Sequence, residues 1–234
     1  NLTLEYTTGG VADHLQASSQ AWTKSGLQLP SEGEYNYNTN PDGTSVTITG
    51  YTGPGGAVTI PGTLGGLPVI AIGNRAFFNK SSLTSVTIPP SVTSIGEGGD
   101  GAFFLCYNLA AIEVDVANND FSSVDGVLFN KAQTTLIQCP EGKAGTYTIP
   151  ESVTSIGTGA FASCTNLTSV TIPGSVINIE GRAFEDCTRL TNATLPNSMI
   201  LKSAGSTTTN TVLGDLRPND ICFALVRVEL DYRH

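Results

Sequence analysis

Apolar residues recur along this chain in one phrase, L-x-x-V-x-I-P-x-x-V-x-x-I, followed by A-F-x-x-C. Its clearest copy places Leu167, Val170, Ile172, Val176, Ile179, Phe184 and Cys187 at those positions, and Leu190 opens the next copy 23 residues after Leu167. A period of roughly 20–29 residues with this spacing marks a solenoid, whose units bury their apolar side only by stacking on neighbours. Within each unit the alternation V-x-I predicts a short parallel strand, and V-x-x-I predicts the return side of the coil. Proline after the first strand ends its ladder, having no N–H to donate. A-F-x-x-C predicts one turn of α- or 3₁₀-helix with the phenylalanine inside.

Read in order, the chain brackets these units with other patterns. Residues 1–34 lack the repeat. Leu2 to Thr7 alternates as a short strand would, and Val11, Leu15 and Trp22 share one helical face. That segment is expected to cap the open end of the solenoid. Tyr35 to Thr49 predicts a β-hairpin turning at Asn40-Pro41-Asp42-Gly43. Repeats then run over 35–198. The connecting loop of the first, GTLGGLPV, is five residues longer than later ones. A segment at 115–142 interrupts the third repeat and predicts a second hairpin, with strands Val127-Leu128-Phe129 and Leu136-Ile137. From residue 199 the repeat is lost, and Ile221 to Tyr232 predicts one strand of a C-terminal cap over 199–234.

Charge narrows the partners. Among 234 residues, 20 acidic side chains face 11 basic ones, and the basic ones are scattered. Phosphate backbones require concentrated positive charge, so nucleic acid and anionic membrane are not expected partners. No apolar run reaches the ~20 residues of a membrane-spanning helix, so membrane insertion is not expected either. Only 13% of residues are charged while glycine, threonine and serine abound, which suits turn-rich β structure. The chain begins without methionine or signal peptide, consistent with a processed, exported protein.

Cys106, Cys164 and Cys187 hold one repeat position, three residues after Phe103, Phe161 and Phe184. Stacked in a ladder they are expected as free, buried, small apolar fillers. Disulfides stay open, because the spacing of stacked coils, about 5 Å, is within reach of one. With no C-x-x-C pair and only His14 and His234, zinc is not expected.

The phrases LTSVTIPPSVTSIG at 83–96, YTIPESVTSIGTGAFASCTNLTSVTIP at 147–173 and INIEGRAFEDC at 177–187 resemble the BspA-like bacterial surface leucine-rich repeats. The segments 48–73 and 122–150 are similar to that family's first unit and its common insertion. The resemblance covers about residues 35–198 and implies a β-rich solenoid, a right-handed coil of short parallel strands with two hairpin elements and non-repeat caps. It also implies a secreted or surface-attached protein, non-enzymatic, used for adhesion or recognition. The family brings no shared catalytic residues and no cofactor.

Motifs with chemical meaning are few. Gly96, Gly98 and Gly101 spell G-x-G-x-x-G, but no long helix is expected after them, so they read as a loop. His14 beside Asp13 lacks a nucleophile partner. Glu113 and Asp115 flank Val114 and would project to one side, as a paired carboxylate for a cation or for acid–base work, or as a solvated acidic patch. The four N-x-[ST] sequons, at Asn1, Asn79, Asn166 and Asn192, are expected to be unmodified in a bacterial protein. The remaining candidate is the strand face. Outward positions Ala57/Thr59, Ser85/Thr87, Ala111/Glu113, Thr146/Thr148, Ser169/Thr171 and Asn192/Thr194 are expected to form two parallel columns over the stacked coils. These columns, with Asp115 beside them, are the expected binding face for a protein or glycan ligand. The alternatives are a threonine array for polysaccharide or ice, a structural spacer within a larger surface protein, and threonine present only for its β propensity.

Overall fold

The structure, a computed structural model, describes residues 32–96 and 101–194. The elements expected in 1–31 and 195–234 lie outside the described residues, as do residues 97–100.

A 3₁₀ turn at Glu32–Glu34 leads into β1 (Tyr35–Thr39), which pairs antiparallel with β2 (Val46–Tyr51). The turn between them is closed by its own side chains. Gly43 takes a positive φ of 70°, and the Asn40 amide donates to Ser45 Oγ at 2.8 Å. The Thr44 backbone N–H and hydroxyl both donate to the Asp42 carboxylate and hold its pKa below the usual carboxylate range.

Front and return strands then alternate. On the front, β3 (Gly56–Thr59), β6 (Leu83–Ile88) and β8 (Ala111–Val114) form one parallel sheet. A second parallel sheet contains β12 (Gly145–Thr148), β14 (Leu167–Thr171) and β16 (Asn192–Thr194). On the return side β2, β5 (Leu67–Ile72) and β7 (Ser94–Ile95) run parallel, and so do β11 (Thr135–Gln138), β13 (Ser155–Ile156) and β15 (Asn178–Ile179). The return strands number only two residues in the regular units because V-x-x-I departs from period-two alternation.

Repetition in sequence becomes stacking in space. All seven expected inward residues of the unit at 167–187 are buried. Aromatic rings stack coil upon coil: Tyr51–Phe77 at 5.1 Å, Phe77–Phe103 at 5.2 Å and Phe161–Phe184 at 4.8 Å between centroids. The A-F-x-x-C segments are turns rather than helix. They adopt left-handed backbone, at Arg75 and Asn79, at Leu105, at Gly159 and Ser163, and at Arg182 and Asp186. Their free N–H groups reach the next coil, Phe77 to Ala102 O (2.8 Å) and Asn79 to Phe104 O (3.0 Å), so the third side of the solenoid is itself a backbone ladder. A helical turn would have directed those groups along its own axis.

Two expected elements are present with an added strand each. The long first loop, GTLGGLPV, contains β4 (Thr63–Leu64), which pairs antiparallel with β5 through Gly65 and Gly66, both at positive φ. The Gly-Gly pair makes the tight turn that a side chain would obstruct. The interrupting segment is a three-strand meander, β9 (Phe121–Val124), β10 (Val127–Asn130) and β11. Its last strand is also the return strand of the coil, pairing Thr135 with Ser155 and Leu136 with Ile156. The segment therefore completes a coil as well as interrupting one.

The meander also divides the interior. Buried side chains fall into two clusters, one running from Tyr35 to Leu128 and one from Val127 to Leu190. Leu128 belongs to the first, Val127 and Phe129 to the second, so β10 is a wall buried on both faces. Asn118, fully buried, anchors the approach to it. Its amide donates to Pro89 O and Val92 O, both at 2.9 Å, and its oxygen accepts from the Asp120 and Phe121 N–H groups.

Candidate functional site

The front face carries the expected pairs in register. Ala57 lies beside Ser85 and then Ala111, and Thr59 beside Thr87 and then Glu113. In the second sheet Thr146 neighbours Ser169 and then Asn192, and Thr148 neighbours Thr171 and then Thr194. Residues on the outer strands are exposed except half-buried Ala111, and Ser85, Thr87, Ser169 and Thr171 on the central strands are half-buried. Strands lie about 4.8 Å apart and alternate residues about 6.7 Å along a strand, which sets the grid of each patch.

The columns are not continuous. They form two separate patches because the meander occupies the gap after β8. The unpaired N–H groups on the β8 edge are taken by that meander, Ile112 N–H by Gly126 O at 2.8 Å and Val114 N–H by Ser123 Oγ at 3.0 Å. The Ser123 hydroxyl in turn donates to the Glu113 carboxylate at 3.2 Å. Across the gap the Lys143 ammonium donates to Asp125 O and lies 5.3 Å from the centre of the Tyr147 ring.

Each patch has its own chemistry. The first mixes alanine, hydroxyls and the tethered Glu113. The second, Thr146, Thr148, Ser169, Thr171, Asn192 and Thr194, carries no charge. Among the described residues none of its six side chains forms a hydrogen bond, leaving all six to solvent or a ligand. Threonines elsewhere behave differently: Thr168 and Thr191 donate to carbonyls of the preceding coil, Gly145 O and Thr168 O.

Glu113 and Asp115 do not act as a pair. Asp115 follows the end of β8, and its carboxylate accepts the Ala117 N–H at 2.9 Å, closing its own turn. Among the described residues no three His, Cys, Asp or Glu side chains converge as metal ligands. Gly96 packs on Asn74, where a Cβ would meet Oδ1 at 2.2 Å. The residues after Gly101 form a turn and not a long helix, and Gly98 lies outside the described residues.

The cysteines at 106, 139, 164 and 187 are free and buried. Cys106 Sγ donates to Phe77 O and Cys187 Sγ to Phe161 O, both at 3.0 Å. Burial pushes the Cys106 thiol up to about 12. The hydrogen bond with Cys139, followed by burial, raises Cys164 as well. Thiols held protonated and away from water are poor nucleophiles. Cys222 lies outside the described residues.

Two surface features escaped sequence reasoning. Arg75 lies 5.4 Å and 5.6 Å from the ring centres of Phe78 and Phe104, with Tyr107 exposed nearby in sequence. The signal was the second phenylalanine of A-F-F, present in the first two units and replaced by Ala162 and Glu185 in later ones. On the return side, a cleft of about 330 Å³ is lined by Thr93, Asp120, Thr135, Ile137, Thr158 and Glu180. Its walls come from segments far apart in sequence, so no local pattern reveals it.

A stacked coil of short parallel strands with a ladder of inward Leu, Val, Ile, Phe and Cys defines a leucine-rich-repeat solenoid. The chain belongs to the BspA type leucine rich repeat region family, matched in six copies over residues 67–144 and 143–209. Among solved structures it is similar to the pneumococcal vaccine antigen PcpA, at 27% identity and a TM-score of 0.54, over 62% of this chain and 40% of that one. The chain thus spans well under half of PcpA. It also matches a Treponema pallidum leucine rich repeat protein at 27% identity and a TM-score of 0.43, over 74% of each chain. A leucine rich cell surface protein of Faecalibacterium prausnitzii matches at 21% identity and 0.42, over 73% of this chain and 77% of that one. No curated protein matches the sequence at a significant level.

Proposed function

We propose that this chain is a non-enzymatic, secreted or cell-surface module that recognises protein ligands through its front face and the adjoining meander. One observation carries the reading: six outward polar side chains of the second patch stand in register on paired strands with no hydrogen-bond partners among the described residues. A rigid grid of unspent donors and acceptors binds without first breaking hydrogen bonds of its own. Few aromatic anchors stand on this face, so contacts are distributed and individual affinities modest. The surface reading draws on the match to the BspA type family and on the likeness to the pneumococcal vaccine antigen PcpA. Segments 1–34 and 199–234 are proposed as the caps of the solenoid.

The uncharged second patch also favours a second reading, a hydroxyl array that lies on polysaccharide or ice. The two separate on one panel: immobilised matrix proteins, a glycan array and an ice-shaping assay. Binding to a protein, reduced at least tenfold by Thr171→Arg with the fold retained by circular dichroism, supports the first reading. Glycan binding or ice shaping alone supports the second. Turnover of any substrate abolished by a single polar substitution would refute both.

A further inference from the structure

At the seam between the two interior clusters the backbone ladder on the third side of the solenoid changes hands. Asn79 N–H is bonded by Phe104 O and Ser163 N–H by Glu185 O, each a backbone carbonyl of the next coil. Leu105, at the equivalent left-handed position, has no such carbonyl, because the following coil lacks an A-F-x-x-C turn. Its N–H is bonded instead at 2.9 Å by Oε1 of Glu141, a side chain 4% exposed. The other oxygen, Oε2, is buried with no partner. Among the described residues no lysine or arginine pairs with Glu141, and none supplies a compensating charge. Cys106 from the preceding turn and Cys164 from the following coil face it as thiols, Cys139 stands two residues before it, and Lys80 acts on Cys106 rather than on the carboxylate.

A carboxylate so placed is an acceptor where the fold needs one and an uncompensated charge where the fold tolerates none. Protonated, it still accepts from Leu105 through one oxygen and carries no charge. We propose that Glu141 is a proton-operated latch at the seam: protonation holds the turn of Leu105 against the following coil, and ionisation releases it by drawing the carboxylate into water.

Burial, opposed by the Leu105 N–H, lifts this carboxyl from 4.5 to about 7. A group whose native pKa is raised stabilises the closed form fully below its unfolded pKa, and that stabilisation is lost as pH rises through the native value. The seam is therefore tightest below about pH 4.5, loosens as pH rises from there to about 7 and changes little above about pH 8. The spread between the two pKa values corresponds to a change in closing equilibrium of the order of a hundredfold.

Amide hydrogen exchange on the full chain at pH 5 and pH 8, expressed as protection factors, tests the latch. Protection at Leu105 and Gly142 is expected to fall roughly a hundredfold at pH 8, while Val170, in the second front sheet, changes far less. In Glu141→Gln, which keeps the acceptor and cannot ionise, protection at Leu105 is expected to be equal at the two pH values. Equal protection in the wild type, an equal fall at Val170, or an unaltered pH response in the glutamine variant each overturns the proposal. The wild-type measurement decides the matter even if the variant does not fold.

Discussion

Asn118→Ala is the substitution whose effect is most directly worked from the structure. The wild-type side chain makes four hydrogen bonds between 2.8 and 2.9 Å, two donated to Pro89 O and Val92 O and two accepted from Asp120 and Phe121. Each is worth about 1 kcal/mol net, and leaving a buried group unpaired costs about 1–3 kcal/mol. Asp120 is exposed and regains water and Pro89 O keeps the Val92 N–H at 3.4 Å, which leaves Val92 O and the Phe121 N–H unpaired in the interior. The expected loss is therefore about 3–5 kcal/mol, a large share of the roughly 5–15 kcal/mol typical of a domain. Asn118→Asp is expected to be at least as damaging at neutral pH, because it sets a carboxylate against the two carbonyls that now receive an amide. Urea unfolding followed by circular dichroism gives the free energy. Limited proteolysis within 115–135 reports whether the meander loosens first, as a loop cut from its anchor should. A loss under about 1 kcal/mol, with the cleavage pattern unchanged, would refute the assignment of Asn118 as the anchor.

Phe161, fully buried and flanked by Tyr147 and Phe184, is expected to cost about 3–5 kcal/mol on replacement by alanine, whereas Phe78→Ala, exposed at 41%, should stay within about 1 kcal/mol; paired urea titrations make the comparison. The cysteines at 106, 139, 164 and 187 are expected to resist a thiol reagent such as DTNB in the native protein at pH 8 and to react fully in denaturant, with labelling of any of the four in seconds under native conditions counting against their burial.

The sequence was legible where it repeats. Leu167, Val170 and Phe184 have counterparts in register, and a position held apolar at a fixed period has one place to go. Legibility failed where the structure depends on what a segment meets. Phe121-Ser122-Ser123-Val124 shows no alternation, so β9 was invisible, although it pairs along its whole length with β10. Val127-Leu128-Phe129 was readable as strand, but three consecutive apolar residues did not disclose that they face two different interiors. The outward pairs were placed correctly along each strand, yet their division into two patches follows from the Gly126 carbonyl and the Ser123 hydroxyl capturing the β8 edge. Glu141 sits in the stretch Pro140-Glu141-Gly142, which carries no apolar pattern to mark it as interior. Only the missing carbonyl opposite Leu105 explains an acid in the interior.

The two-faced strand β10 also bears on how such a chain changes length. Within a run of like coils, one 23-residue unit can be duplicated or deleted with each new surface meeting a copy of the old. At β10 no such exchange is possible, because Leu128 on one side and Val127 with Phe129 on the other answer to different neighbours. Growth by unit duplication is thereby confined to either side of this strand. The spacing between the two outward patches stays constant while the arms beyond them lengthen or shorten.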